Sequence, residues 1–497
     1  MTLDKELALV HGRRARRRGS SAAGAFGWSL ANTVVSKIGT LAIGIILARV
    51  LGPEQFGTFA VAMVALMAVL SFNELGVSLA IVRWPSDPRR IAGTVNTISV
   101  ASSALFCCAA WAAAPAYAQA MGSPEATDVV RLLILSVMLN GIVAGPAALL
   151  QRDFRERTRM GIDLVNVWSG TLLSLILALA GWGAMSLAVG RIVGSLISVV
   201  LFLRVPTVPF RLEWNREYVR PLLRFGLPLA GTSAIVFAVG YADQLTVGGM
   251  LGAVALGYYV LALNLSNWPV SLVSQPLRRV APATFSVLQR DKQQLRDVML
   301  KLMSLMAAVL TPAFLALAGA SVPLVRLVYG EVWLPAAAAL TWLVVAAMVK
   351  VFSELSYDLI VVIGRTGTVF WIQCVSLMVL IPALVLGGWM NGVGGVAMAQ
   401  AAVSSLVVLP LYLWQLRHIG ITMTDVLAKT WLPVVLGVLT GVTVWGLTLL
   451  MPGQTLLPLA LGALITLAVI ALLANRHRET LAQLRLISRT EHPEQRS

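Results

Sequence analysis

Polar residues in this chain gather in short intervals, and long apolar segments fill the space between them. The segments lie at about 24–50, 56–80, 91–116, 128–150, 161–181, 184–204, 222–250, 253–275, 299–321, 335–363, 368–389, 393–415, 430–451 and 456–474. Each supplies the ~20 mostly apolar residues that a helix needs to cross a bilayer. Irregular backbone cannot face lipid, so helices are expected, with their connections outside the hydrocarbon. Those connections are rich in Gly, Pro, Asn and Asp, as in Pro85-Ser86-Asp87-Pro88 and Asn391-Gly392. The predicted fold class is an all-α polytopic membrane protein with about 14 transmembrane helices.

Composition narrows the class. Of 497 residues, 58% are hydrophobic and 12% charged, about half the charged share of a soluble domain. That excludes an ordinary soluble enzyme, a disulfide scaffold and a disordered chain. The three cysteines, Cys107, Cys108 and Cys374, sit in apolar runs without CxxC spacing, so neither a disulfide framework nor a zinc site follows. The four histidines form no HExxH helix.

The net charge of +16 is explained by where the cations lie. With the N-terminus in the cytoplasm, 32 of the 38 Lys and Arg residues fall on the cytoplasmic side, as the positive-inside rule requires. Both termini are therefore expected in the cytoplasm of a multi-pass protein of the cytoplasmic (inner) membrane. Trp28, Trp182, Trp333, Trp389 and Trp414 lie at span ends and fit interfacial belts. The cluster Arg13-Arg14-Ala15-Arg16-Arg17-Arg18 reads as a topological anchor, with contact to anionic lipid headgroups as the alternative. No groove-reading or aromatic element accompanies it, so nucleic acid is not an expected partner. The apolar run from Ala25 exceeds the h-region of a cleaved signal peptide.

The chain repeats itself at an offset of 200. Leu51-Gly52-Pro53-Glu54-Gln55-Phe56-Gly57-Thr58-Phe59 matches Leu251-Gly252-Ala253-Val254-Ala255-Leu256-Gly257-Tyr258-Tyr259 as LGxxxxG with a following aromatic, and Ala62 pairs with Ala262. In each copy the first glycine is suited to φ > 0 at a helix end, and the second to close approach by the next helix. Two six-helix repeats in the same orientation follow, and proteins built so place a cavity between the halves. The expected organisation is a basic tail (1–23), a first repeat (24–215), a second repeat (216–418), two further spans (419–475) and a C-terminal tail (476–497) with an amphipathic pattern at Leu481, Leu484 and Ile487.

These motifs carry a family resemblance. Ala48-Arg49-Val50-Leu51-Gly52-Pro53-Glu54-Gln55-Phe56-Gly57 resembles the ARxLGPxxFG signature of Wzx-type polysaccharide flippases, within the multidrug/oligosaccharidyl-lipid/polysaccharide exporter superfamily. Glu74-Leu75-Gly76 stands for Asp-Leu-Gly, Gln151-Arg152-Asp153-Phe154-Arg155 for QRDxR, and Arg224-Phe225-Gly226-Leu227-Pro228 for RFGLP. Asp243 to Gly252, then Leu256-Gly257-Tyr258-Tyr259, is similar to D-x-x-x-x-G-x-x-L-G…LGYY, and Gly330-Glu331-Val332-Trp333 to GEKW. The chain departs from the pattern at Gly249, where an arginine is common, and in the loop Pro282-Ala283-Thr284-Phe285-Ser286-Val287-Leu288-Gln289. The resemblance implies transfer of a polyprenyl-pyrophosphate-linked oligosaccharide from the inner to the outer leaflet, for lipopolysaccharide or exopolysaccharide synthesis. It implies as partners that lipid, membrane lipids and a polysaccharide polymerase machinery. It does not identify the sugar.

A charge near the bilayer centre costs at least ~2.5–3.5 kcal/mol, so such residues normally face a cavity or a partner. Lys37, Arg191 and Asp243 are the candidate substrate-binding residues, the two cations for a pyrophosphate. For Asp243 a structural hydrogen bond to the first half is the alternative. Glu74, Lys350, Glu354 and Asp358 are the candidates for gating or ion coupling, the last three sharing one helix face. An internal Lys350–Glu354 pair is the alternative there. The Gly190–Gly194 pair around Arg191 reads as a small-xxx-small helix contact.

No GxxxxGK[ST] occurs, and Gly392-Val393-Gly394-Gly395-Val396-Ala397 joins two spans rather than a strand and a helix. No cofactor, metal or enzymatic activity is expected. A cation-coupled drug or metabolite antiporter is the alternative function. A membrane glycosyltransferase or polymerase ranks last, because the outer connections are short and hold few acids.

Overall fold

The computed structural model describes residue 39 and residues 41–73, 75–85, 87–205, 208–288 and 291–476. Lys37, Glu74, the basic N-terminal cluster and the amphipathic tail pattern lie outside the described residues. Every regular element among the described residues is helical. The helices are α1 (Leu41–Leu70), α2 (Ser78–Arg83), α3 (Arg89–Ala120), α4 (Thr127–Arg152), α5 (Glu156–Leu179), α6 (Ala184–Arg204) and α7 (Arg216–Leu288). Then come α8 (Lys292–Gly319), α9 (Ser321–Tyr329), α10 (Pro335–Val362), α11 (Thr366–Val403), α12 (Leu409–Gln415), α13 (Met423–Leu450) and α14 (Leu456–Arg476).

Eleven of the described helices are long and apolar enough to cross a membrane. Three of them turn within their length: α1 at Gly52, where φ is 70°, and α7 and α11. Helix α7 has 73 residues and would run about 110 Å if straight, against a hydrocarbon core of ~30 Å. It reverses at Gly252, whose φ of 84° a side chain would oppose. The reversal brings the Tyr259 hydroxyl to 2.8 Å from Asp243 Oδ2. Helix α11 turns at Asn391 and Gly392. The two ends of the bundle are called here the tail face, where α4 and α14 end, and the distal face, where α3 and α13 end.

Small residues set the helix pairing. In the first bundle, Gly190 and Gly194 of α6 pack on Ser174, Gly170 and Asn166 of α5, the contact that their spacing predicts. In the second, α13 docks on α8, where Thr311 Oγ1 donates to the Pro433 carbonyl at 2.8 Å. The first turns of α7 belong to the first bundle: Leu222 is fully buried among Val77, Ile81, Ile91, Val95 and Leu149. The preceding segment is strapped to α3, with Thr97 Oγ1 donating to the Glu213 carbonyl at 2.8 Å and Asn96 Nδ2 to the Arg211 carbonyl at 3.2 Å. Helix α7 is thus a bridge rooted in one bundle and extending into the other.

Trp182, Trp389 and Trp414 are exposed at helix ends, as interfacial residues are. Trp333 corrects the sequence expectation. It is 1% exposed and serves a different purpose.

Candidate functional site

At the distal face the two LGxxxxG loops meet each other. Both first glycines have positive φ, 70° at Gly52 and 84° at Gly252. The second glycines pack across the halves rather than on the next helix. A Cβ on Gly57 would collide with the Ala253 carbonyl oxygen, and one on Gly257 would lie 2.8 Å from the Pro53 carbonyl oxygen. The partner positions are again 200 residues apart, so the contact is made twice about a two-fold relation. Residue 57 meets 253, and 257 meets 53.

Trp333 seals this crossing. Phe56 of the first half approaches it edge-on at 5.5 Å between ring centres, and Tyr258 of the second half does the same at 5.8 Å. Such edge-to-face geometry suits the ring quadrupoles. Arg49 then spans the halves: Nε donates to the Val328 carbonyl at 2.8 Å and Nη2 to the Leu327 carbonyl at 2.5 Å. Those carbonyls belong to the last turn of α9, where acceptors are orphaned and the helix dipole favours a cation. Three of the motifs that carry the family resemblance therefore assemble one closure between the halves.

Below the closure lies a cavity of about 390 Å³ in the first bundle, within the range of ligand sites. It reaches from Arg191, near the middle of α6, to Gln151 and Arg159 at the tail face. Because Gly190 and Gly194 turn one side of α6 against α5, Arg191 projects from another side into this space. Asn140, Asp163, Asn166, Ser195 and Ser198 also line it. Arg191 lies within electrostatic range of Tyr241 on α7, and Tyr241 of Asp243. Lys350 is exposed on α10, a helix whose other residues are mostly buried, and acts electrostatically on Asp243. A cation from each half thus acts electrostatically on the Tyr241–Asp243 segment of the bridging helix.

Asp243 itself is buried and held within the second half. The Tyr259 hydroxyl donates to Oδ2 and the Gln244 amide to Oδ1, each at 2.8 Å. Among the described residues, its hydrogen-bonding partners are both in the second half. Glu354 is half-buried and Asp358 buried along the same side of α10, and each makes polar or electrostatic contacts of its own.

The second membrane crossing is broken between α1 and α2. Leu75 takes φ 47° and Gly76 φ 66° there, and broken spans need side chains to satisfy the freed backbone. Ser102 Oγ donates to the Asn73 carbonyl at 2.5 Å, and Asn73 Nδ2 donates to Asn140 Oδ1 at 3.0 Å. Asn140 therefore both lines the cavity and braces the break. Asn73→Ala is expected to destabilise the protein by about 0.6–1.7 kcal/mol, the range for interhelical hydrogen bonds in membranes. A melting temperature in detergent equal to that of the wild type would contradict this.

Of the residues singled out in the sequence, the structure brings Arg191, Asp243 and Lys350 toward one region. Asn140, Asp163, Asn166 and Ser195 were missed. Their signal was available: each is a polar residue inside an apolar span.

Residues 46–338, more than half of the chain, match the family described as Polysaccharide biosynthesis protein. The chain belongs to that family. Among relatives, lipopolysaccharide biosynthesis protein WzxC of Escherichia coli (strain K12) is 25% identical over 432 residues, covering 86% of this chain and 87% of the relative. Succinoglycan biosynthesis transport protein ExoT of Rhizobium meliloti (strain 1021) is 23% identical, covering 78% of each chain. The solved structure of lipid II flippase MurJ in an inward closed conformation matches with a TM-score of 0.69 at 14% identity, over 90% of this family member and 99% of that chain. An inward-facing MATE-family multidrug resistance transporter matches at 0.60 and 18% identity, over 76% and 93%. At these identities the structural likeness establishes the fold of this family member and nothing more.

Proposed function

We propose that this protein flips a polyprenyl-pyrophosphate-linked oligosaccharide across the cytoplasmic membrane by alternating access, for surface polysaccharide synthesis. The observation that carries the reading is the pairing of a sealed distal face with a polar, cation-bearing cavity on the other side of the seal. A pyrophosphate requires such cations, and a sugar requires polar walls inside an otherwise apolar bundle. The relatives named for lipopolysaccharide and succinoglycan synthesis favour this cargo over a drug.

The tail face carries most of the basic residues, which supports its placement in the cytoplasm, together with both termini. The cavity then loads from the cytoplasm, with Arg191 on the pyrophosphate, Lys350 opposite it and the polyprenyl chain left in lipid. Lys37, in the first span, is assigned the same cationic role, and Glu74, Glu354 and Asp358 are assigned to gating or coupling. The distal closure at Gly57, Gly257 and Trp333 must part for release outside. No bond of the cargo is made or broken, so the role is transport rather than catalysis. A polysaccharide polymerase machinery is the natural recipient of the flipped lipid.

The test is the leaflet distribution of the lipid-linked oligosaccharide in cells lacking the protein. Accumulation on the cytoplasmic leaflet, reversed by complementation, is the expected result. A normal distribution with altered sensitivity to cationic drugs would instead favour the antiporter.

A further inference from the structure

We propose that the first-bundle cavity holds a subsite for an uncharged sugar ring, the one next to the pyrophosphate, built from Asn140, Asp163, Asn166 and Ser195. The inference rests on the flippase reading and assigns to one half of the molecule the part of the cargo that it recognises.

Three helices deliver the groups. Asn140 comes from α4, Asp163 and Asn166 from α5, and Ser195 from α6. Asn166 and Asp163 are three residues apart and so lie on one side of α5. Gly194 of α6 leaves room for Asn166, since a Cβ there would come within 2.7 Å of Asn166 Oδ1. Asn140 already gives its Oδ1 to Asn73, which leaves its Nδ2 donors for the cavity.

The chemistry of the wall selects the ligand. Amides and hydroxyls each donate and accept, as sugar hydroxyls do, and Asp163 can accept two neighbouring hydroxyls at once. Phe202 and Leu139 supply apolar surface in the same cavity for the C–H face of a ring. Among the described residues that line it, only Arg191 and Arg159 are cationic. Arg159 is engaged at the tail-face end, where it donates to Gln151 Oε1 at 3.2 Å and pairs with Glu156 at 3.9 Å. Of the described lining residues, Arg191 is therefore the cation left for pyrophosphate, while the carboxylate of Asp163 disfavours a uronic acid at the adjoining ring. Polar side chains on membrane helices normally face a cavity or a polar partner, and these four converge on one space next to the proposed phosphate position.

Binding to the purified full-length protein in nanodiscs separates the two levels. The probes are the lipid-linked oligosaccharide isolated from cells lacking the protein and sugar-free polyprenyl pyrophosphate. Asn166→Leu and, independently, Ser195→Val are expected to weaken the sugar-bearing probe at least tenfold and leave the sugar-free probe unchanged. Arg191→Ala is expected to weaken both. If Asn166→Leu and Ser195→Val bind both probes as the wild type does, or lose both alike, the sugar subsite is overturned while the flippase reading stands. If the wild type binds neither probe, the flippase reading itself fails.

Discussion

Gly57→Leu is expected to reduce transport at least tenfold while leaving the protein in the membrane at normal abundance. A side chain at this position has no flexible neighbour to displace. Its Cβ would run into the Ala253 carbonyl group and lie 3.2 Å from the Val254 nitrogen, all backbone of the opposite half. Overpacking of this kind costs about 1–3 kcal/mol. Placed on one of two alternating states, that disfavours the sealed form by about 5- to 150-fold. The individual bundles are untouched, because the clash lies between them.

The shift has a direct readout. In a background without the native cysteines, Ala253→Cys places a thiol at the closure, where Ala253 is buried. An impermeant maleimide added from the distal side should label it faster when Gly57→Leu is also present. Gly57→Ala, with the smaller side chain, should give an intermediate effect on both labelling and transport. Wild-type transport and unchanged labelling in Gly57→Leu would mean that this crossing is not part of the transport cycle.

Arg191→Ala is the second large effect. A charge-assisted hydrogen bond is worth about 1.5–3 kcal/mol, so transport at limiting substrate is expected to fall about 10- to 150-fold. The fold should tolerate the change, because the side chain is exposed to the cavity rather than packed in a core. Arg191→Lys should recover part of the loss. It keeps the charge but not the planar fork that grips a phosphate by two bonds. The measurement is initial transport rate against lipid-linked oligosaccharide concentration in proteoliposomes. An Arg191→Ala protein with wild-type kinetics would remove this arginine from the substrate path.

The broad fold was legible because it depends on the solvent. Twenty-residue apolar runs and the one-sided placement of Lys and Arg reflect transfer between water and lipid, which acts on each segment separately. The helical bundle and the glycine turns at 52 and 252 could be read at that level. So could Arg191 as a cavity residue, since an unpaired charge in an apolar span has few other places to go.

Trp333 shows where such reading ends. Its position at a span end is the same as that of Trp389, yet one is buried between the halves and the other faces outward. Asp243, a candidate substrate-binding residue with a hydrogen bond to the first half as the alternative, is another case: among the described residues the reversal at Gly252 presents it with Tyr259. The cavity wall, lined from five helices, was legible only residue by residue. Asn140, Asp163, Asn166 and Ser195 are scattered polar residues until the small-residue contacts rotate their helices toward one space.

By itself the sequence determined the class of molecule and its family motifs, both of which arise from local pattern or short-range chemistry. Only the tertiary structure decided that those motifs form a closure between halves, with Arg49 on carbonyls nearly 280 residues away. The physical reason is that such contacts depend on how whole helices pack and rotate against one another. No local hydropathy or spacing encodes that choice of partner.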